Sequence, residues 1–202
     1  MANAPKILCF AGSLRTDSFN KKVVKIAMSG AKAAGADVTY IDLRDYPMPI
    51  YDGDIETASG LPENALKLKT LMREHQAFLI SSPEYNSSIS AALKNAIDWA
   101  SRPAPGEKML ECFTGKVAGV MSASPGALGG LRGLVTVRSI LENINVLVCP
   151  EQIAIAQATD AFDDDGSLKD AKKQAAVEKI GARVAEVTRK LLAPDTVPSV
   201  HN

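Results

Sequence analysis

Five times along this chain a short run of apolar residues gives way to a stretch with helical periodicity. That alternation constrains the fold more than any other feature. The apolar runs are Lys6–Ala11, Val38–Leu43, Ala77–Ser82, Lys116–Ser122 and Asn145–Ile155. They are rich in Val, Ile, Leu and Phe and too short for helices, the pattern of strands in a parallel sheet covered on both faces. The segments between them carry single apolar stripes. One runs through Phe19, Val23, Ile26, Ala27, Gly30 and Ala34, another through Leu61, Ala65, Leu68, Met72 and His75. Near the C-terminus Ile180, Val184, Val187 and Leu191 repeat at helical spacing, and helices around Ser88–Ala100 and Gly130–Asn143 complete the set. Five βα units with right-handed crossovers predict an α/β fold, a five-stranded parallel sheet between two layers of helices. The second run mixes polar and apolar residues as an edge strand does, which fits the order 2-1-3-4-5.

The chain of 202 residues shows no linker and is expected to form one domain, with a core over 5–192 and a loose tail over 193–202. Lys+Arg and Asp+Glu stand at 23 each. A protein that grips nucleic acid or an anionic membrane carries a basic excess, so neither partner is expected. No window approaches the roughly 18 apolar residues of a membrane span, and the start lacks a signal-peptide pattern. Cys9, Cys112 and Cys149 have no C-x-x-C spacing, and Cys9 and Cys149 fall in apolar runs. Buried, reduced thiols in a cytoplasmic protein are the expectation.

In open α/β sheets ligands sit beyond the carboxyl ends of the strands, so the loops after strands 1, 3 and 4 carry the chemistry. The first, Gly12–Asn20, is neither a dinucleotide G-x-G-x-x-G nor a P-loop. It gathers Ser13, Arg15, Ser18 and Asn20 at the start of a helix, donors suited to a terminal phosphate. On these residues alone, simple N-capping by Ser18 or Asp17 with a solvated Arg15 is an equal reading. The second loop, Ser82–Ser88, offers a rigid Pro83, a carboxylate at Glu84, the Tyr85 ring and Asn86, with Asn86–Ser88 leading into the next helix. Such a loop suits the edge of a flat heterocycle. The third, Ser122–Gly130, has three glycines and a proline, which permit close backbone approach to a ligand.

At these residues the sequence resembles the NADPH-dependent FMN reductase family, a flavodoxin-like group that includes azoreductases and chromate or quinone reductases. The likeness lies in Gly12-Ser13-Leu14-Arg15, Ser18-Phe19-Asn20, Pro83-Glu84-Tyr85-Asn86, Leu93-Lys94-Asn95-Ala96-Ile97-Asp98-Trp99, and Gly126 with Gly129-Gly130 and Arg132. It implies a flavodoxin-like three-layer sandwich binding FMN. Ser13, Arg15, Ser18 and Asn20, with Phe19 beside them, would hold the phosphate. Pro83, Glu84, Tyr85 and Asn86 would border the ribityl chain and ring, and Ser124 and Gly126 would close the other side. Pro47–Asp52 resembles a segment at the mouth of the site. The resemblance further implies a homodimer or homotetramer, with Tyr51 and Arg132 as candidates for the subunit contact.

The reaction expected is two-electron transfer from NADPH or NADH through FMN to a small-molecule acceptor (a quinone, azo compound, flavin or chromate-like oxyanion) in ping-pong order, with no side-chain nucleophile and no metal. The alternative is an FMN-binding electron carrier of flavodoxin type with little turnover. A receiver domain shares the fold but needs acidic residues after strand 1, where this chain has Ala11-Gly12-Ser13. His75 reads as a structural histidine on its helix stripe, His201 lies in the tail, and Asp163–Asp165 lacks the ligand ladder of a calcium loop. Ser122-Ala123-Ser124 is not a nucleophile elbow.

Overall fold

The computed structural model describes residues 4–193. Strand β1 (Lys6–Ala11) is buried along all but its first residue, as a strand covered on both faces must be. It pairs in parallel with β2 (Asp37–Tyr40) on one side and β3 (Ala77–Ser81) on the other, with Ile7 opposite both Val38 and Ala77. Two residue pairs form a short separate hairpin, β4 (Glu84–Tyr85) and β5 (Ser88–Ile89). The sheet continues through β6 (Val117–Ala123) to β7 (Leu147–Ile155), giving β2-β1-β3-β6-β7. Counting only strands of the large sheet, this is the order 2-1-3-4-5, with the partly exposed β2 at an edge as its polar content requires.

Helices α1 (Phe19–Ala33) and α6 (Ala171–Leu192) cover one face. The other face is covered by α3 (Glu63–Glu74), α4 (Ala91–Ser101) and α5 (Leu131–Asn143), while the seven-residue α2 (Gly53–Ser59) buries no residue. The first layer depends on small residues. A Cβ at Gly30 would run into the Glu178 carbonyl oxygen, and one at Gly181 into the Ala27 carbonyl oxygen, so the backbones of α1 and α6 touch.

The segment from Ser88 to Ala100 differs from the helix its sequence predicts. Asn86 and Ser87 both adopt positive φ, 52° and 64°, the two-residue turn that folds a tight hairpin. Asn86–Ser88 therefore turns the chain back, and Ser90 caps α4 by accepting from the Leu93 N–H at 3.1 Å. Strand β2 ends at Tyr40 rather than Leu43, because the Asp42 carboxylate accepts from the Arg44 N–H and starts a 3-10 turn over Leu43–Asp45. His75 sits at the C-cap of α3, its Nδ1 against the Leu71 carbonyl at 2.6 Å and its Nε2 against the Thr39 hydroxyl at 2.8 Å. Asp165 accepts from both the N–H and the hydroxyl of Ser167, closing a turn before α6. The expected loose tail, 193–202, lies outside the described residues apart from Ala193, and His201 with it.

Candidate functional site

The loops after β1, β3 and β6 converge at the carboxyl edge of the sheet on either side of the switch point. There a cleft is lined by Ser13, Arg15, Ser18, Phe19 and Asn20 from the first loop. Pro83, Glu84 and Tyr85 come from the second, and Ala123, Ser124 and Pro125 from the third. Nine of the residues singled out from the sequence thus meet in one place. Asn86 and Gly126 do not join that lining: Asn86 occupies the exposed hairpin turn, and the Gly126 carbonyl accepts from Gly129 and Gln157 within its own loop.

In the first loop Ser18 does not serve as a capping side chain, while Arg15 is exposed as the capping alternative expects. Ser18 occupies the N-cap of α1 with extended backbone, yet its hydroxyl makes no capping bond, although the residue is only 6% exposed. The first N–H groups of α1 have no intrahelical acceptor, so the Ser18 hydroxyl and backbone donors at the positive end of the helix lie along the same cleft. Arg15 adds a guanidinium that joins no ion pair among the described residues. The Ser13 hydroxyl accepts from the Arg15 N–H at 3.3 Å, which curls the loop and leaves the Ser13 proton to donate. Beneath it, Gly12 lies so close to α4 that a Cβ there would stand 2.9 Å from the Leu93 Cβ.

The Asn20 side chain is largely engaged within the protein. Its carbonyl accepts from the Ser81 hydroxyl at 2.8 Å and the Ala123 N–H at 3.0 Å, and its Nδ2 donates to the Ala123 carbonyl at 2.9 Å. Both oxygen lone pairs and one of two N–H groups are committed to the ends of β3 and β6. The side chain fixes the floor of the cleft, and what Asn20 offers a ligand is chiefly its backbone N–H. The Phe19 ring is likewise taken, stacked on Phe162 with centroids 5.8 Å apart.

Glu84 does more than its place in the loop suggests. One carboxylate oxygen accepts from Arg132 Nε at 2.8 Å and the other from the Gly133 N–H in the first turn of α5 at 3.1 Å. Burial raises its pKa, but the Gly133 and Arg132 hydrogen bonds and the guanidinium charge outweigh this and hold it below the ordinary carboxylate value. The clamp ties the second loop to the third. Gly130, at φ +93°, and Gly133 let it close: a Cβ on Gly130 would collide with the Ser122 hydroxyl, and one on Gly133 would stand 3.3 Å from the Glu84 Cβ. Ser122 Oγ is buried there without a partner. Arg132, expected as a candidate for a subunit contact, is thus already engaged within its own chain.

The mouth segment is stapled to α4. The Pro49 carbonyl accepts from Asn95 Nδ2 at 3.0 Å and from Trp99 Nε1 at 2.8 Å, while Asn95 Oδ1 receives the Tyr51 N–H at 2.8 Å. Tyr51 stands edge-on to Trp99 and donates its hydroxyl to Glu56 at 2.9 Å. The Asn and Trp of the Lys94–Trp99 motif therefore have a visible task, holding 47–51 against the body of the protein. Among the described residues no group of His, Cys, Asp and Glu could hold a metal ion, and no helix is long and apolar enough to cross a membrane.

The sheet order and the cleft at its switch point, lined by hydroxyl and guanidinium side chains, define a flavodoxin-like α/β protein. Its sequence matches the family model for NADPH-dependent FMN reductase over residues 5–160. An NAD(P)H-dependent FMN reductase of Pseudomonas aeruginosa is 34% identical over 181 residues, covering 89% of this chain and 92% of the relative. A quinone reductase of Pseudomonas putida is 34% identical over 189 residues, covering 91% and 97%. Among solved structures, a flavoenzyme NAD(P)H:(acceptor) oxidoreductase of Paracoccus denitrificans superposes with a TM-score of 0.76 at 28% identity, covering 92% of this chain and 98% of that one. The chain belongs to the NADPH-dependent FMN reductase family, and it is an oxidoreductase whose cofactors are FMN and NAD(P)H.

Proposed function

We propose that this enzyme passes two electrons from NAD(P)H through FMN to quinones, in ping-pong order, with azo compounds, free flavins and chromate-like oxyanions as further acceptors. The observation that carries the reading is the uncapped Ser18 hydroxyl, on a residue only 6% exposed, lining one cleft with the Pro83–Tyr85 segment and with an Arg15 guanidinium that joins no ion pair among the described residues. These donors fit a phosphate monoester: two directed hydroxyls, a guanidinium fork and a helix terminus.

Ser13, Arg15, Ser18 and the backbone N–H groups of Phe19 and Asn20 would hold the FMN phosphate. Pro83, Glu84 and Tyr85 would border the ribityl chain and ring, with Ser124 closing the opposite side and Asn86 and Gly126 at the rim. Bound FMN supplies the redox chemistry, accepting hydride from a reduced nicotinamide and delivering two electrons to an acceptor. The chain's own work is to position and to polarise. Backbone N–H groups around Glu84–Asn86 would donate toward developing negative charge on the ring, in a loop held in place by the Glu84 clamp. The Tyr85 side, 52% exposed, leaves space that nicotinamide and acceptor occupy in turn.

Exposed Leu131 and Val135, one turn apart on α5, support assembly as a homodimer or homotetramer. Three buried, free cysteines fit the reducing cytoplasm. The deciding experiment is anaerobic: NADPH should bleach the protein-bound flavin before any acceptor is present, and a quinone should restore the colour. Flavin that stays yellow with both NADPH and NADH would overturn the reading and leave an electron carrier.

A further inference from the structure

Beside the phosphate cradle lies a second and larger cavity of about 560 Å³, within the range of small-molecule sites. It meets the first at Arg15, which lines both. Its other cation is Arg44, from the 3-10 turn after β2, and no carboxylate among the described residues lines it. In a chain with equal numbers of acidic and basic residues, a cavity whose charges are all positive is a local arrangement.

Arg44 is held for use. Its N–H is fixed by the Asp42 carboxylate at 3.1 Å, and its Nη1 donates to the Thr16 hydroxyl. Asp42 itself is paired with Lys21, and the Arg44 guanidinium joins no ion pair among the described residues. The rest of the lining is largely apolar and includes the Tyr46 ring with Met48, Ala92 and Ala96, a surface on which a flat base can lie. One rim is the segment that Asn95 and Trp99 staple to α4.

We propose that this cavity receives the adenosine end of NADPH, with the Arg44 guanidinium, supported by Thr16, taking the 2′-phosphate. The inference rests on the proposed function above. The nicotinamide must reach the flavin ring, so the adenosine must lie elsewhere, and the neighbouring cavity carries the one chemistry that tells NADPH from NADH. A guanidinium matches a phosphate monoester with two parallel donors, which an ammonium does not. Arg15 serves the cofactor phosphate, and Arg44 reads the nicotinamide nucleotide.

The test is a calorimetric titration of the FMN-loaded protein with adenosine 2′,5′-bisphosphate and with adenosine 5′-monophosphate, which lacks only the 2′-phosphate. The wild type should bind the bisphosphate about 10-fold or more tightly than the monophosphate, a difference that shrinks with added salt. Arg44→Ala should abolish the preference and Arg44→Lys should restore part of it. In turnover, Arg44→Ala should lower the ratio of kcat/KM for NADPH over NADH by about 10- to 100-fold. Equal affinity of the wild type for the two nucleotides, or a preference that survives Arg44→Ala, overturns the proposal. The titration requires no flavin reduction, so a wild type that shows no preference but bleaches normally removes only the Arg44 site. Absent bleaching with both NADPH and NADH removes the oxidoreductase reading instead.

Discussion

The Glu84 clamp makes a quantitative prediction about how two loops of the site are held together. Replacing Glu84 with Ala removes the acceptor for the N–H of Gly133, a buried residue in the first turn of α5, and leaves that donor without it. A hydrogen bond to a charged group contributes about 1.5–3 kcal/mol. A carboxylate at a helix N-terminus adds about 0.3–1 kcal/mol. The Arg132 contact weighs less, because that side chain is 59% exposed and surface pairs contribute about 0–1 kcal/mol. Glu84→Ala should therefore destabilise the protein by about 2–4 kcal/mol in urea denaturation at pH 7, and Arg132→Ala by at most about 1 kcal/mol, with the denaturant slope unchanged in both. The pH dependence follows from the same contacts. The folded carboxyl sits below its ordinary value of 4.5, so the unfolded chain takes up the proton first. The stabilisation is complete above that value and is lost as pH falls through the lower, folded one. The stability gap between wild type and Glu84→Gln should stay level from pH 7 to about 5.5 and close at lower pH. Equal costs for Glu84→Ala and Arg132→Ala would refute the view that the backbone donor of α5, rather than the surface ion pair, anchors the second loop.

Arg15→Ala should raise the dissociation constant for FMN about 10- to 100-fold by fluorescence titration, while the unfolding free energy of the flavin-free protein in urea stays within about 0.5 kcal/mol of wild type. Equal retention of flavin would remove Arg15 from the cradle. Gly181→Ala should cost about 1–3 kcal/mol, because the new methyl meets the Ala27 carbonyl and α1 must move off α6. A neutral effect in thermal denaturation would show that the two helices have slack. Burial pushes the Cys9 thiol up to about 12, so a maleimide probe should label it only after denaturant is added. Fast labelling of the native protein, read by mass spectrometry, would contradict the closed core.

The strands were legible because a parallel sheet covered on both faces leaves them no polar side to hide. Cys9 and Phe10 in β1 and Leu79 and Ile80 in β3 are buried on opposite faces, and the sequence shows this as unbroken apolar runs. The edge position of β2 was legible for the converse reason. The β4–β5 hairpin was not, because two-residue strands have no periodicity to detect, and Asn86-Ser87 reads equally as a turn or as a helix entrance. The short polar α2 lacks an apolar stripe and left no signal. Neither did the task of Lys69, which is 2% exposed and reaches Glu107 at 2.8 Å and the Ala100 carbonyl at 3.3 Å, tying the end of α4 to the following loop. Its sequence position on α3 looks like any charged residue beside an apolar stripe.

At the site, the sequence located the residues better than it divided their labour. Asn20, Glu84, Asn95 and Trp99 all belong to motifs, yet each spends its polar atoms on backbone groups of another loop. Residue type and spacing can mark a position as constrained without saying whether the constraint is a ligand or a neighbouring peptide. Only the satisfaction of individual donors separates the two. The Asn20 carbonyl is saturated, whereas the Ser18 hydroxyl, equally motif-bound, makes no capping bond to its own helix. The same accounting explains how a chain with no net charge can be built for phosphates. Arg15 and Arg44 line adjoining cavities without a carboxylate partner among the described residues, while Lys21, Lys69 and Arg132 are neutralised by Asp42, Glu107 and Glu84 respectively. Anion affinity here is a matter of which cations the fold leaves unpaired, a quantity that summed charge averages away and that directed contacts preserve.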